Sequence, residues 1–98
     1  MTERIERFTR EEEAMLPDFE SAEEAYMYFR DRWGKNFSYQ GSQIIDGVEC
    51  WFCNLILERE AYERGAKELR MGTPLTGTEF LMSYQPFELH GGHVHVIY

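Results

Sequence analysis

Apolar residues between Ala22 and Trp33 recur at helical intervals. With residues set 100° apart, Ala22, Ala25, Tyr26, Phe29 and Trp33 fall within one stripe about 100° wide, the width of a face that packs on a core. Ser21 followed by Glu24 is a capping-box signal for the start of this helix, and Gly34 marks its end. Met27 and Tyr28 lie off the stripe, and Met27 shares its flank with Glu23, Glu24 and Asp31. An apolar side chain framed by acids has the makeup of an interface anchor.

From Phe37 the period changes to that of strands. Asp46-Gly47 between Ile44-Ile45 and Val48 is a hairpin signal, because a type I′ turn requires positive φ at both central residues. Counting outward pairs Ile45 with Val48, Gln43 with Cys50, Gly41 with Phe52 and Phe37 with Ile56. The other face holds Ser42, Gln40 and Ser38 on the first strand but Trp51, Leu55 and Leu57 on the second, so the second strand is expected to be covered on both sides. Gly41 is a candidate bulge.

Helical spacing returns over residues 58–70, with Glu60 before Arg64 and Glu63 before Lys67 in the favourable i,i+4 order. Gly72 and Pro74 provide a stop. Ala61, Gly65, Ala66 and Leu69 form a small inward face. Gly65 weakens a helix by about 1 kcal/mol relative to Ala, which points to close packing there. The segment from Thr78 to Tyr98 reads as two or three strands, one over Phe80 to Tyr84, with Pro86 at an edge or bulge and Gly91-Gly92 as a two-residue turn. That turn sets His90 opposite His93, Leu89 opposite Val94, Glu88 opposite His95 and Phe87 opposite Val96. One face is then apolar, and the other gathers Glu88, His90, His93 and His95.

Residues 1–17 are charged and thinly apolar. Thr9 with Glu12 is a second capping box, and Pro17 stops a short helix expected from about Arg10 to Leu16. The organisation read from the chain is a charged N-terminal segment, 1–17, followed by a single compact domain, 18–98. Helix, helix, hairpin, helix and strands in that order predict an α+β fold: an antiparallel sheet of about four strands with two to three helices packed on one face.

Charge adds the strongest asymmetry. Between Arg10 and Arg30 lie seven carboxylates and no base: Glu11, Glu12, Glu13, Asp18, Glu20, Glu23 and Glu24. The net charge of -8 opposes long-range attraction to nucleic acid or anionic lipid, so neither is an expected direct partner. A hydrophobic share of 43% separates the chain from disordered acidic tails. No apolar run approaches the roughly 20 residues of a membrane span, and the N-terminus lacks the apolar stretch of a signal peptide, so a cytoplasmic location is expected.

Candidate chemistry is sparse. Cys50 and Cys53 stand three apart in a predicted strand, on opposite faces, and read as structural thiols. Glu88, His90, His93 and His95 have the donor types of a zinc or iron site, and a metal-dependent enzyme or sensor is the alternative they raise. No nucleophile elbow or phosphate loop is present, so the expectation is a non-enzymatic module with no cofactor.

Acids four apart on a helix are separated by about 6 Å along its axis, comparable with successive phosphates, so such a surface can meet the lysines and arginines of a nucleic-acid-binding cleft. The expected partner is therefore a basic protein, bound through Glu11, Glu12, Glu13, Asp18, Glu20, Glu23, Glu24, Met27, Tyr28 and Asp31. In size and charge the chain resembles small acidic inhibitors encoded by viruses and mobile elements, anti-CRISPR and anti-restriction proteins among them, a likeness of composition alone. Self-association through the terminal strand, Val94 to Tyr98, is a third reading.

Overall fold

The computed structural model describes residues 4–72 and 80–98. Its elements are α1 (Arg10–Ala14), α2 (Ala22–Trp33), a 3-10 turn (Gly34–Asn36), β1 (Phe37–Ile45), β2 (Val48–Ile56), α3 (Arg59–Arg70), β3 (Tyr84–His90) and β4 (His93–Val96). The four strands form one antiparallel sheet in the order β1-β2-β3-β4, so the α+β architecture expected from the sequence holds. No helix among the described residues is long and apolar enough to cross a membrane.

The first hairpin turns where expected, with φ of 51° at Asp46 and 80° at Gly47. Ile45 meets Val48, Gln43 meets Cys50 and Gly41 meets Phe52. The register then shifts between Tyr39 and Gly41, so Phe37 faces Leu55 instead of the Ile56 reached by straight counting. One extra residue in a strand moves every later side chain to the other face. The bulge therefore delivers Phe37 to the face that α2 covers, where it is fully buried with Cys53 and Leu55.

That face is the core. Ala22, Ala25 and Phe29 of α2 pack on Phe37, Cys53, Leu55, Phe87, Leu89 and Val96. Phe29 lies at its centre, with ring centroids 5.4 Å from Trp33, 5.1 Å from Phe37 and 5.2 Å from Phe87. Cys50 and Ile56, one residue out of phase, are buried on the opposite face. There α3 approaches through Tyr62, whose hydroxyl accepts from Asn54 Nδ2 at 3.4 Å and whose ring packs on Tyr84 and Phe80. The helices thus divide between the two faces, a choice that helical periodicity does not encode. A Cβ on Gly65 would come within 2.3 Å of the Phe80 ring, which accounts for the glycine in α3.

Residues Phe80 to Ser83 form a turn where sequence alone suggests a strand. The Ser83 N–H bonds the Phe80 carbonyl at 3.0 Å, and the Ser83 carbonyl receives the N–H groups of Leu57 and Glu58 at 2.7 and 3.1 Å. Local closure and the link to the end of β2 use up the groups a strand would pair. Pro74 and Thr78, read as a stop and a strand start, lie outside the described residues. Pro86 sits inside β3 opposite Asn54. Its carbonyl accepts the Ile97 N–H at 3.0 Å, so its own missing N–H points to the same side, beyond the last paired residue of β4.

Residues 4–17, set apart in the sequence by their charge, are tied into this core. Ile5 N–H donates to the Leu57 carbonyl at 2.8 Å. Phe8 is 2% exposed, with its ring against Phe29, Trp33 and Phe87. The fully buried Gln85 side chain accepts from Phe8 N–H at 2.7 Å and donates to the Phe8 carbonyl at 3.0 Å.

Candidate functional site

The acidic surface is built on two helix starts. Thr9 and Glu12 complete a reciprocal capping box on α1, which ends at Ala14, two residues short of the expected Leu16. Ser21 Oγ accepts the Glu24 N–H at the start of α2. The intervening connection is seated on the β3–β4 turn, where a Cβ on Gly92 would fall 1.8 Å from the Phe19 carbonyl oxygen. Only glycine admits that approach, and it places Asp18 and Glu20 beside the hairpin.

The structure sorts the ten expected contact residues into two groups. Glu12 accepts from Arg32 at 2.8 Å, and this bond leads the interactions that hold its carboxyl below the usual range. Glu13 accepts from the Tyr98 hydroxyl at 2.5 Å, while the Arg10 guanidinium lies 4.9 Å from the centre of the Tyr98 ring. These two carboxylates bind the fold to itself. Glu11, Asp18, Glu20, Glu23, Glu24 and Asp31 are exposed, and their carboxylates have no ion pair or hydrogen bond among the described residues. Met27 is 58% exposed. Tyr28 is 39% exposed, yet its ring packs against Phe19 and Phe29, so it is a presented side chain with a rigid root. Glu24, Met27, Tyr28 and Asp31, at spacings of three, four and seven, share one side of α2.

Glu49 and Trp51 carry no local sequence signal for this surface. They join Glu20, Glu23 and Val48 around a groove of about 300 Å³ between the start of α2 and the β1–β2 hairpin. The Trp51 indole N–H donates to the Glu49 carboxylate. Their spacing of two on a strand marks them as neighbours on one face. That this face meets α2 depends on the fold.

Tyr98 allows the N-terminal clamp to be tested by pH. Burial first, and then donation to Glu13, pushes its hydroxyl up to about 12 from the ordinary 10. A raised pKa in the folded state favours the protonated form, so this stabilisation is complete below pH 10 and is lost as pH rises toward 12. In denaturant titrations, the stability advantage of the wild type over Tyr98→Phe should be constant below pH 10 and vanish across that window.

The histidine hairpin pairs as counted, Glu88 with His95 and His90 with His93. The side chains do not converge. His90 Nε2 turns toward β2, 3.3 Å from Cys50 Sγ and 3.7 Å from a Glu88 carboxylate oxygen, while His93 and His95 face solvent. Among the described residues no three or more His, Cys, Asp or Glu side chains are placed to hold a metal ion. Both cysteines are free thiols, Cys50 raised by burial and then by the Glu88 charge, Cys53 pushed up to about 12 chiefly by burial. Both shifts favour the thiol over the nucleophilic thiolate.

What this geometry offers a ligand is an acidic surface with two apolar side chains set in it. No protein family, no curated protein and no solved structure matches the chain, so the reading of its function rests on that surface.

Proposed function

We propose that the protein is a non-enzymatic cytoplasmic binding module whose acidic surface occupies a basic groove on a nucleic-acid-binding protein and so excludes the nucleic acid. The observation that carries this reading is a set of six exposed carboxylates with no ion pair or hydrogen bond among the described residues, Glu11, Asp18, Glu20, Glu23, Glu24 and Asp31, of which Glu24 and Asp31 share one side of α2 with Met27 and the rooted Tyr28. Unpaired surface acids keep their full field and provide steering and orientation. Met and Tyr are enriched in interfaces, where a buried aromatic supplies affinity that charges alone do not. Glu12 and Glu13 serve this surface indirectly, by holding α1 through Arg32 and Tyr98. Inhibitors carried by viruses and mobile elements, anti-CRISPR proteins among them, are the setting that this size and charge fit.

The test begins with affinity capture from a cell lysate and identification of the bound protein by mass spectrometry, followed by competition with that protein's nucleic acid. Replacing Glu11, Glu20, Glu23 and Glu24 by Gln and Asp31 by Asn removes charges that make no ion pair or hydrogen bond among the described residues. Glu11, Glu23 and Glu24 lie in the first turn of a helix, so each change should lower stability by no more than about 1 kcal/mol. Affinity should fall by roughly tenfold or more, with a shallower dependence on salt. Unchanged affinity and salt dependence, or a partner that binds the protein and its nucleic acid together, would reject the reading.

A further inference from the structure

We infer that β1 is a dimerisation edge: two copies of the chain join their sheets by antiparallel pairing of β1 across a twofold axis near Gly41. The sheet has two edges, β1 and β4, and they differ. β4 is four residues long, its flank shares a cleft with residues 10–19, and Tyr98 just beyond it is held by Glu13. β1 is nine residues long, and from Tyr39 to Ile45 every side chain is exposed, with Gly41 half-buried. Its nine residues include no charge and no proline, in a chain that is 29% charged. Lysine or proline is the usual guard on an open edge. The one guard present is the bulge between Tyr39 and Gly41, and it leaves Gly41 to Ile45 in regular register. Within that regular stretch Ile44 is 70% exposed.

The charges at the two ends of β1 identify the occupant. Lys35 precedes the strand, and Arg59 reinforces that end by donating to the Lys35 carbonyl and to Asn36 Oδ1, both at 2.9 Å. Asp46 follows the strand, with Glu49 opposite Ile44. An antiparallel copy reverses the ends. With Gly41 on the axis and the bulge residue Gln40 left unpaired, Phe37 faces Ile44 of the other copy, Lys35 meets Asp46, and the uncharged middles meet each other. A twofold axis supplies this match twice from one sequence, which a strand from an unrelated protein has no reason to do.

Sedimentation equilibrium of the full chain over a range of concentrations, combined with hydrogen exchange, tests the inference. We expect a concentration-dependent dimer in which exchange slows over residues 38–45 and is unchanged over residues 93–98. Gln43→Lys with Ile44→Lys should raise the dissociation constant roughly tenfold or more while leaving the circular dichroism spectrum intact. If that variant does not fold, the wild-type exchange pattern decides. Lys35→Glu should weaken the dimer roughly fivefold, and adding Asp46→Asn, which keeps a residue tolerant of positive φ in the turn, should recover most of the loss. A chain that stays monomeric, a dimer protected at residues 93–98 instead, or a dimer indifferent to Lys35→Glu would overturn the inference.

Discussion

Replacing Phe8 by alanine should destabilise the protein by about 3–5 kcal/mol, the range for removing a buried aromatic ring. Phe8 belongs to a charged and thinly apolar segment, yet its ring is enclosed by Phe29, Trp33 and Phe87 at centroid distances of 6.0, 5.7 and 5.5 Å. These neighbours are held by α2 and β3 and cannot collapse into the space without disturbing the aromatic cluster around Phe29. Arg32, whose guanidinium lies 5.5 Å from the Phe8 ring centre, would lose part of the surface that positions it for Glu12. Small domains have about 5–15 kcal/mol of stability in total, so the variant approaches the limit of folding. Urea denaturation followed by tryptophan fluorescence measures the effect. A loss below about 1 kcal/mol would show that the N-terminal segment is not docked in solution, because a truncation of this size in a packed site does not come so cheaply.

Gln85→Leu is expected to lower stability by about 2–5 kcal/mol through a different mechanism. Leucine keeps roughly the volume and removes the amide, so the Phe8 N–H and carbonyl both lose their partner in a site that water does not reach. Each stranded backbone group costs about 1–3 kcal/mol. Gln85→Glu separates hydrogen bonding from shape. An ionised carboxylate can accept from the Phe8 N–H but repels its carbonyl, whereas the protonated acid can do both jobs. Burial raises the folded-state pKa of such a glutamate, so its stability is greatest below the unfolded value of about 4.3 and declines as pH rises through the folded one. Gaining stability on acidification relative to wild type would confirm the two-sided contact. A Gln85→Leu variant as stable as wild type would mean that Phe8 N–H and carbonyl find other partners.

Much of the fold was legible because its signals are local. Ser21 and Gly34 bracket α2, Asp46-Gly47 and Gly91-Gly92 place the turns, and counting from the second turn reproduces all four β3–β4 pairs. Counting from the first turn holds as far as Gly41 and fails at Phe37, because the bulge adds a residue that straight counting omits, at the place Gly41 marks in the sequence. The strand expected over Phe80 to Tyr84 does not form because the Ser83 N–H donates to the Phe80 carbonyl and the Ser83 carbonyl accepts from Leu57 and Glu58, a competition invisible in hydrophobic pattern.

The acidic surface divides in the same way. Its existence and its position near the front of the chain are matters of composition, and so are the exposed side chains of Met27 and Tyr28, which periodicity places off the buried stripe of α2. Which acids remain available was decided by residues far along the chain: Arg32 engages Glu12, Tyr98 engages Glu13, and Glu49 is carried to the start of α2 by the hairpin. A sequence determines by itself what depends on neighbours a few residues apart: turns, caps, the faces of helices and strands, and net charge. The contacts of Phe8 with Gln85, the seat of Phe19 on Gly92 and the pairing of Glu13 with Tyr98 span 73 to 85 positions. Contacts of that kind exist only once packing has brought distant segments within a few ångströms, since hydrogen bonds and dispersion forces act over no greater range.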